Sequence, residues 1–258
     1  MPSNETKIEI RNLTMAYGSY VVMRNINALV KRGKVFVIMG NSGSGKSTLL
    51  RHMLGLQRPA QGDVLYDGRS FWGMDDDARG VQLRKYGVLF QSGALWSSMT
   101  LEENVALPLI EYTDWSVSDR RDIVRLKLAL VGLTGFEGYY PAEISGGMRK
   151  RAGLARAMAL DPEILFFDEP SAGLDPISSR NLDQLILELR DGLGATVVVV
   201  THELASIFTI ADDAIFLDAD SRTMRAQGNP KELLARSDDP KLKAFLTRGE
   251  FSTQAATS

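Results

Sequence analysis

Cysteine is absent from the 258-residue sequence, which contains only two histidines. Disulfides, thiolate zinc sites and cysteine catalysis are therefore excluded, and an all-histidine metal cage is not expected. The sequence also lacks an excess of basic residues, since its net charge is −2. That balance gives no electrostatic reason to expect nucleic-acid binding, which usually requires a basic surface.

Long hydrophobic segments are also missing. The longest apolar runs, such as Val35–Met39 and Thr196–Val200, are far shorter than the roughly 20 residues needed to span a bilayer. The first seven residues are polar and lack the apolar core of a secretory signal. We therefore expect an intracellular protein, in which any membrane role comes through a partner.

Strand-like and helix-like patterns alternate along most of the chain, which favours a mainly parallel sheet covered by helices. Lys7–Leu13 alternates apolar and polar residues, as is typical of an edge strand. The other predicted strands are Val35–Met39, Asp63–Tyr66, Tyr86–Phe90, Ile164–Phe167, Thr196–Val200 and Ala214–Leu217. The predicted helices are Ser47–Leu56, Thr100 to about Ile110, Asp119–Val131, Gly146–Leu160, Ile177–Arg190 and Leu204–Ile210.

One block departs from this alternation, because no strand-like run occurs between about Gln91 and Leu160. We interpret residues 92–160 as a helical lobe inserted into a single domain that spans residues 1–248. The last ten residues, 249–258, are polar, and we expect them to form a flexible tail.

The segment Gly40–Ser47 matches the pattern G-x-x-x-x-G-K-S in full and lies between a predicted strand and a predicted helix. Its glycines let backbone N–H groups turn inward as an anion-binding nest at a helix N-terminus. Lys46 supplies a positive charge to the β- and γ-phosphates, and the Ser47 hydroxyl can ligate Mg²⁺. The alternative, a Gly/Ser loop with a chance lysine, is disfavoured by the flanking elements. The predicted nucleotide-binding residues here are Gly40, Asn41, Ser42, Gly43, Ser44, Gly45, Lys46, Ser47 and Thr48.

Two carboxylates, Asp168 and Glu169, end the apolar strand Ile164–Phe167. Open α/β sheets place ligands at the carboxyl ends of their strands. Asp168 would hold Mg²⁺, and Glu169 would orient and polarise the attacking water. By itself, an acid pair after a strand is more often a solvated strand end. Its combination with the phosphate loop favours a role in binding metal and activating water.

A second anion-binding segment, Ser145-Gly146-Gly147, precedes a predicted helix. By itself it is no more than a glycine-rich helix entry. Because one chain has one triphosphate loop, a second anion site most simply serves a nucleotide held by another copy. We therefore predict a two-fold symmetric, head-to-tail pair with both nucleotides between the subunits.

Four single residues are candidates with ordinary structural alternatives. Gln91 follows a predicted strand and can reach metal or water, although an isolated surface glutamine is the commoner case. His202 follows Thr196–Val200 and can donate to a γ-phosphate, although it is also suited to a structural role. Tyr17 can stack on adenine or serve as a core or turn tyrosine. Asp175 can couple the two sites and can also cap the next helix.

Taken in order, these motifs resemble those of the ATP-binding cassette subunits of ABC transporters, from Tyr17 to at least Asp218. The resemblance implies an α/β P-loop NTPase of the ABC-cassette fold, with a mainly parallel sheet core, an antiparallel β part and the inserted α-helical lobe. It implies ATP and Mg²⁺ as cofactors, catalytic roles for Glu169 and His202, and metal contacts from Ser47, Gln91 and Asp168. It also implies an ATP sandwich dimer whose closure drives a membrane permease, with the Gln91 region touching that permease.

One departure from the family pattern is informative, since Ile144 and Met148 stand where Leu and Gln are usual. Ser-Gly-Gly-Met is similar to the Mla-type, MCE-associated lipid transport ATPases, as are Leu89–Leu95, Glu169–Ile177 and Thr201–Glu203. That resemblance implies a permease dimer in the bacterial inner membrane, an MCE-domain lipid-binding partner and a place on the cytoplasmic face. A small regulatory subunit is a further candidate partner, and phospholipid or another hydrophobic molecule is the expected cargo.

Other interpretations stay open at this point. The chain could energise an ABC transporter for another substrate. A soluble ABC ATPase of translation or DNA maintenance usually has two cassettes or long coiled coils, and this sequence has neither. A P-loop kinase would leave Ser145, Gly146, Gly147 and His202 without a role.

Overall fold

The computed structural model describes residues 5–248, so the predicted tail at 249–258 and the first four residues of the predicted domain lie outside the described part. Among the described helices, none is both long enough and apolar enough to cross a membrane. The elements in chain order are β1 (Thr6–Tyr17), β2 (Tyr20–Lys31), β3 (Val35–Gly40), α1 (Lys46–Met53), β4 (Gln61–Tyr66), β5 (Arg69–Ser70), α2 (Asp76–Leu83), β6 (Tyr86–Leu89), α3 (Leu101–Tyr112), α4 (Val117–Leu130), a 3-10 turn (Pro141–Glu143), α5 (Gly146–Ala157), β7 (Ile164–Asp168), α6 (Pro176–Leu193), β8 (Thr196–Val200), α7 (Leu204–Ile210), β9 (Asp213–Asp218), β10 (Thr223–Gly228), α8 (Pro230–Arg236) and α9 (Pro240–Leu246).

The chain divides into two compact units. The described residues 5–79 and 198–248 form the first unit, and Gly80–Val197 forms the second. The chain passes from one unit to the other within α2 and again within β8. The prediction of one domain with a helical lobe at residues 92–160 stays a prediction.

In the first unit, an antiparallel sheet has the strand order β2-β1-β4-β5. Ile10 of β1 lies opposite Ala28 on one side and Val64 on the other. β1 is therefore an inner strand, and the prediction of an edge strand is wrong. The alternation in Lys7–Leu13 reflects burial of one face, with Ile8 and Ile10 in the core, and burial of one face is independent of position in the sheet.

The strand that leads into the phosphate loop is β3, which is apolar and buried along its whole length. It pairs in parallel with β9, which in turn pairs antiparallel with β10. A continuous apolar run is what a strand covered on both faces requires. This burial fixes the carboxyl end of β3, where residues 40–47 begin.

The C-terminal helix α9 is attached to β9 by an ion-pair cluster. Lys241 Nζ donates to both carboxylate oxygens of Asp218 at 3.1 Å. Burial alone would raise the pKa of Asp218, but hydrogen bonds from Ser221 and Lys241 outweigh it and lower the pKa to about 2. Asp218 is therefore ionised at neutral pH and holds α9 beside the end of β9.

The second unit pairs β6 with β7 in parallel, with Val88 opposite Phe166, and packs the helices α3, α4 and α5 together. α3 begins with a capping box, in which the Thr100 hydroxyl accepts from Glu103 N and the Glu103 carboxylate accepts from Thr100 N. Within this described unit, no strand lies between β6 and β7. The segment between them is helical, as the sequence predicts.

Candidate nucleotide site

The phosphate loop joins β3 to α1 in the first unit. Gly40, Gly43 and Gly45 have φ values of +153°, +77° and +81°, in the region that favours glycine. Lys46, the first residue of α1, is buried, and its Nζ donates to Gly40 O at 2.9 Å and Asn41 O at 3.1 Å. The loop therefore curls around the lysine ammonium at a helix N-terminus, an arrangement suited to phosphate. Ser47 and Thr48 follow in the first turn of α1.

Two further predicted residues belong to the first unit. Tyr17 ends β1 and is 48% exposed, so its ring is available for stacking. His202 follows β8 and lines a cavity of about 320 Å³ together with Asn41 and Ser42 of the phosphate loop. The structure thus brings His202 to the loop, as expected for a residue that contacts the terminal phosphate.

Sequence reasoning missed the helix that closes this cavity. Ala244 and Phe245 of α9 and Arg248 just after it also line the cavity. α9 begins with Asp239 as its N-cap and Pro240 in its first turn, which is a recognisable helix start. That signal could have placed a helix here, although not its position beside the phosphate loop.

The carboxylates Asp168 and Glu169 lie at the carboxyl end of β7 in the second unit. Glu169 has a φ of +49°, which a non-glycine residue rarely adopts. Since β6 pairs in parallel with β7, with Leu89 opposite Phe167, Gln91 follows the same end of the adjacent strand. The structure therefore brings Gln91, Asp168 and Glu169 to one edge of this sheet.

Arg156 of α5 holds the loop that contains Gln91. Its guanidinium donates to Ala94 O at 2.8 Å and to Gly93 O at 3.1 Å. Burial lowers the pKa of Arg156, and an arginine remains charged despite such a shift. Sequence reasoning did not single out this arginine, because the Ala/Arg composition of the helix does not reveal which side chains face inward.

The segment Ser145-Gly146-Gly147 forms the N-terminus of α5, also in the second unit. Ser145 is the N-cap, and its hydroxyl accepts from Met148 N at 3.2 Å. Ser145 and Gly146 are exposed to solvent. The first amides of α5 therefore face outward with the positive end of the helix dipole, which suits an incoming anion.

Asp175 is the N-cap of α6, with Pro176 as the first helical residue. Its carboxylate accepts from Ile177 N and Ser178 N at 3.0 Å. A hydrogen bond from the Ser178 hydroxyl is the main cause that lowers the pKa of Asp175. The capping role is therefore confirmed. Ser178, in the first turn of α6, also lies close to Gly147 of α5, since a Cβ added to Gly147 would be 3.8 Å from the Ser178 Oγ. The start of α6 therefore lies beside the start of α5.

The residues predicted to hold Mg²⁺ are Ser47 in the first unit and Gln91 and Asp168 in the second. Their side chains carry the hard oxygen ligands that Mg²⁺ prefers. Over residues 5–248, no cluster of three or more Asp, Glu or His side chains could hold a metal by itself.

Replacement of Gly40 by alanine is expected to abolish nucleotide binding, because the new Cβ would lie 2.5 Å from Leu217 O, a backbone atom. Gly194→Ala is the matched control, since Gly194 also has a positive φ of +64° but has open space around its Cβ position. Titration with a fluorescent ATP analogue checks both variants. Wild-type affinity in a folded Gly40→Ala protein would contradict this description of the loop.

Comparison with known proteins places these motifs in a family. Residues 23–172 match the family model described as ABC transporter. The chain is 42% identical over 247 residues to the intermembrane phospholipid transport system ATP-binding protein MlaF of Haemophilus influenzae, covering 96% of this chain and 92% of that protein. This confirms the resemblance to Mla-type ATPases.

Two further matches extend the comparison. The chain is 43% identical over 241 residues to the probable ribonucleotide transport ATP-binding protein mkl of Mycobacterium tuberculosis, covering 93% of this chain but only 66% of that protein. The dimeric structure of a bacterial ABC transporter cassette superposes with a TM-score of 0.78 at 33% identity, covering 86% of this chain and 98% of that one. The predicted cassette fold is thereby confirmed, and the chain belongs to the ABC transporter family.

Proposed function

We propose that the chain binds and hydrolyses ATP as one of two copies that energise a membrane permease. The observation that carries the proposal is the presence of two distinct anion-binding helix starts in one chain. One is the loop around Lys46 at α1, and the other is the exposed Ser145 cap of α5. One triphosphate per chain accounts for both if each copy cradles its own nucleotide and covers that of its partner.

The proposed reaction begins with ATP in the phosphate loop, where the Lys46 ammonium and the amides at the start of α1 neutralise phosphate charge. Ser47, Gln91 and Asp168 would hold Mg²⁺, which would supply further neutralisation of the phosphate charge. Glu169 orients a water molecule towards the γ-phosphorus and accepts its proton. His202 donates a hydrogen bond to the γ-phosphate, and Ser145 of the second copy closes over it.

Hydrolysis would remove the phosphate that the two copies share, so that the subunits separate. Opening and closing of the pair is then the mechanical output. Support for the pair comes from the similar cassette that was solved as a dimer. Asp175 caps α6 beside the start of α5, and its proposed role is to couple the two sites when the partner closes.

A groove of about 300 Å³ in the second unit is the proposed contact for the permease. It is lined by Leu83, Tyr86, Val88 and Tyr112, among others, and β6 leads from it to the loop that contains Gln91. Tyr112 is exposed, and the Arg84 guanidinium carbon lies 6.0 Å from its ring centroid. An apolar floor with a cation and an aromatic ring at its edge suits an amphipathic segment of a partner.

The proposed cargo is phospholipid or a similar hydrophobic molecule, with an MCE-type partner at the cytoplasmic face of a bacterial inner membrane. The MlaF relative, named for intermembrane phospholipid transport, supports this over nearly its full length. The mkl relative, named for ribonucleotide transport, supports a second candidate cargo, but this chain covers only 66% of that protein. Sequence coverage therefore favours the lipid proposal.

The assembly is tested by purifying a tagged chain in mild detergent and identifying bound proteins and small molecules by mass spectrometry. We expect a permease, an MCE-domain protein and phospholipid. Tyr112→Ala should reduce recovery of the permease, whereas Tyr140→Ala, at an exposed tyrosine outside the groove, should not. Recovery of ribosomes or DNA in place of membrane proteins would contradict the proposal. A bound ribonucleotide other than ATP or ADP, which this chain is itself proposed to bind, would favour the second cargo.

Glu169→Gln is expected to preserve ATP binding and to lower kcat by roughly 10²- to 10⁴-fold, the usual contribution of a general base. The amide cannot accept the proton, so a closed ATP-bound dimer should accumulate in size-exclusion chromatography. Asp161→Asn is the control, since Asp161 lies in the same unit, also has a positive φ and lies outside the predicted site. Turnover near the wild-type rate in Glu169→Gln would refute the role of this carboxylate.

Ser145→Arg is expected to block hydrolysis while leaving ATP binding to the isolated chain within about twofold, because the serine acts on the nucleotide of the partner. In a mixed dimer, Ser145→Arg in one chain should silence the site built around Lys46 of the other chain. Site-specific labelling of the two nucleotides separates the two sites. If each site depends only on its own chain, the sandwich arrangement is wrong.

A further inference from the structure

Lys150 lies in the basic stretch Arg149-Lys150-Arg151 of α5, a composition that normally indicates a solvated helix face. In the structure, however, Lys150 is only 7% exposed. Its Nζ donates to Ala172 O at 2.5 Å, to Pro170 O at 2.6 Å and to Glu169 O at 3.5 Å. The three N–H groups of the ammonium are therefore directed at three carbonyls of one turn.

The turn 169–172 begins at Glu169, the residue whose carboxylate is proposed to activate water for hydrolysis. Glu169 has the left-handed φ of +49°, a conformation that persists in a non-glycine residue only where the surroundings hold it. One internal hydrogen bond, from Ala172 N to Glu169 O at 3.2 Å, also closes the turn. The ammonium of Lys150 adds hydrogen bonds to three carbonyl oxygens of the turn and gathers them on one side.

Burial of this lysine carries an electrostatic cost. Loss of solvation lowers the pKa of Lys150, while the negative charge of Glu169 raises it. A buried ammonium is tolerated where it is fully hydrogen-bonded and faces negative charge. Both conditions are met at this turn, so the side chain is suited to hold the turn in its charged form.

We propose that Lys150 is a positioning residue for hydrolysis, which fixes the turn 169–172 and thereby the direction of the Glu169 carboxylate. The inference rests on the proposed function of Glu169. Lys150 also joins this turn to the helix that begins at Ser145. Within one chain, Lys150 therefore links the carboxylate proposed to activate water at its own nucleotide to the helix proposed to cover the nucleotide of its partner.

The test is a double-mutant cycle in the full-length chain, with Lys150→Met combined with Glu169→Gln. In the wild-type background, Lys150→Met should lower kcat by roughly tenfold or more and leave ATP affinity and the ATP-dependent dimer within about twofold. In the Glu169→Gln background, single-turnover hydrolysis should be insensitive to Lys150→Met, because a residue that acts through Glu169 has no further effect once the carboxylate is gone.

Lys127→Met is the matched control. Lys127 is another buried lysine of the same unit, 3% exposed, and its ammonium donates to Asp161, which lies outside the turn 169–172 and outside the predicted site. It should leave kcat unchanged at comparable thermal stability. Lys150→Arg should recover part of the lost kcat, since a guanidinium can also donate to several carbonyls. If Lys150→Met does not fold, Lys150→Gln takes its place in the cycle.

The outcomes separate the inference from the function on which it rests. Equal kcat in wild type and Lys150→Met, or losses that add in the double variant, would overturn the positioning role. Loss of the ATP-dependent dimer in Lys150→Met would assign the lysine to the Ser145 helix alone and would also overturn it. A wild-type chain that neither hydrolyses ATP nor dimerises would instead contradict the proposed function itself.

Discussion

The charge of a triphosphate is the constraint that the candidate site is built to satisfy. Lys46 and the exposed amides at the start of α5 both offer positive potential at a helix N-terminus. Backbone amides carry no mobile charge and need no reorganisation when an anion arrives, so they stabilise phosphate without a large basic surface. This explains how a chain with a net charge of −2 can be specialised for one of the most highly charged metabolites.

Elements whose boundaries are set by backbone chemistry were predictable from the sequence. β3 and β7 are apolar runs that end at glycine or carboxylate, and Thr100 with Glu103 forms a capping box. β2 was missed although its second half alternates buried and exposed residues, because the two-residue connection that begins at Gly18 was not used as a hairpin signal. The inner position of β1 was also not predictable, because strand order depends on which segments pair in three dimensions.

The site was predictable to the extent that its residues occur in contiguous motifs. The residues at 40–48, 145–147 and 168–169 occupy the helix starts and strand ends that their motifs require, while their roles in hydrolysis stay predictions. Lys150 and Arg156 were not identified, because a basic side chain in a helix carries no sequence mark of burial. Whether such a side chain points outward depends on which elements pack against the helix. The residue pattern of a short basic helix does not reveal those elements.

Two cations of α5, the buried Lys150 and the half-buried Arg156, explain why this helix is basic without invoking a polyanion bound along its surface. Lys150 and Arg156 direct their charges at backbone carbonyls of two different loops, one after Glu169 and the other after Gln91. A carbonyl binds a cation through its dipole alone, so the lysine can hold the loop after Glu169 without forming a side-chain ion pair that would mask the carboxylate. In these hydrogen bonds, α5 contacts the two loops through their backbone carbonyls and not through the side chains of Glu169 and Gln91. The positive charge of α5 is then a property of the scaffold, separate from the chemistry proposed for the glutamate and the glutamine.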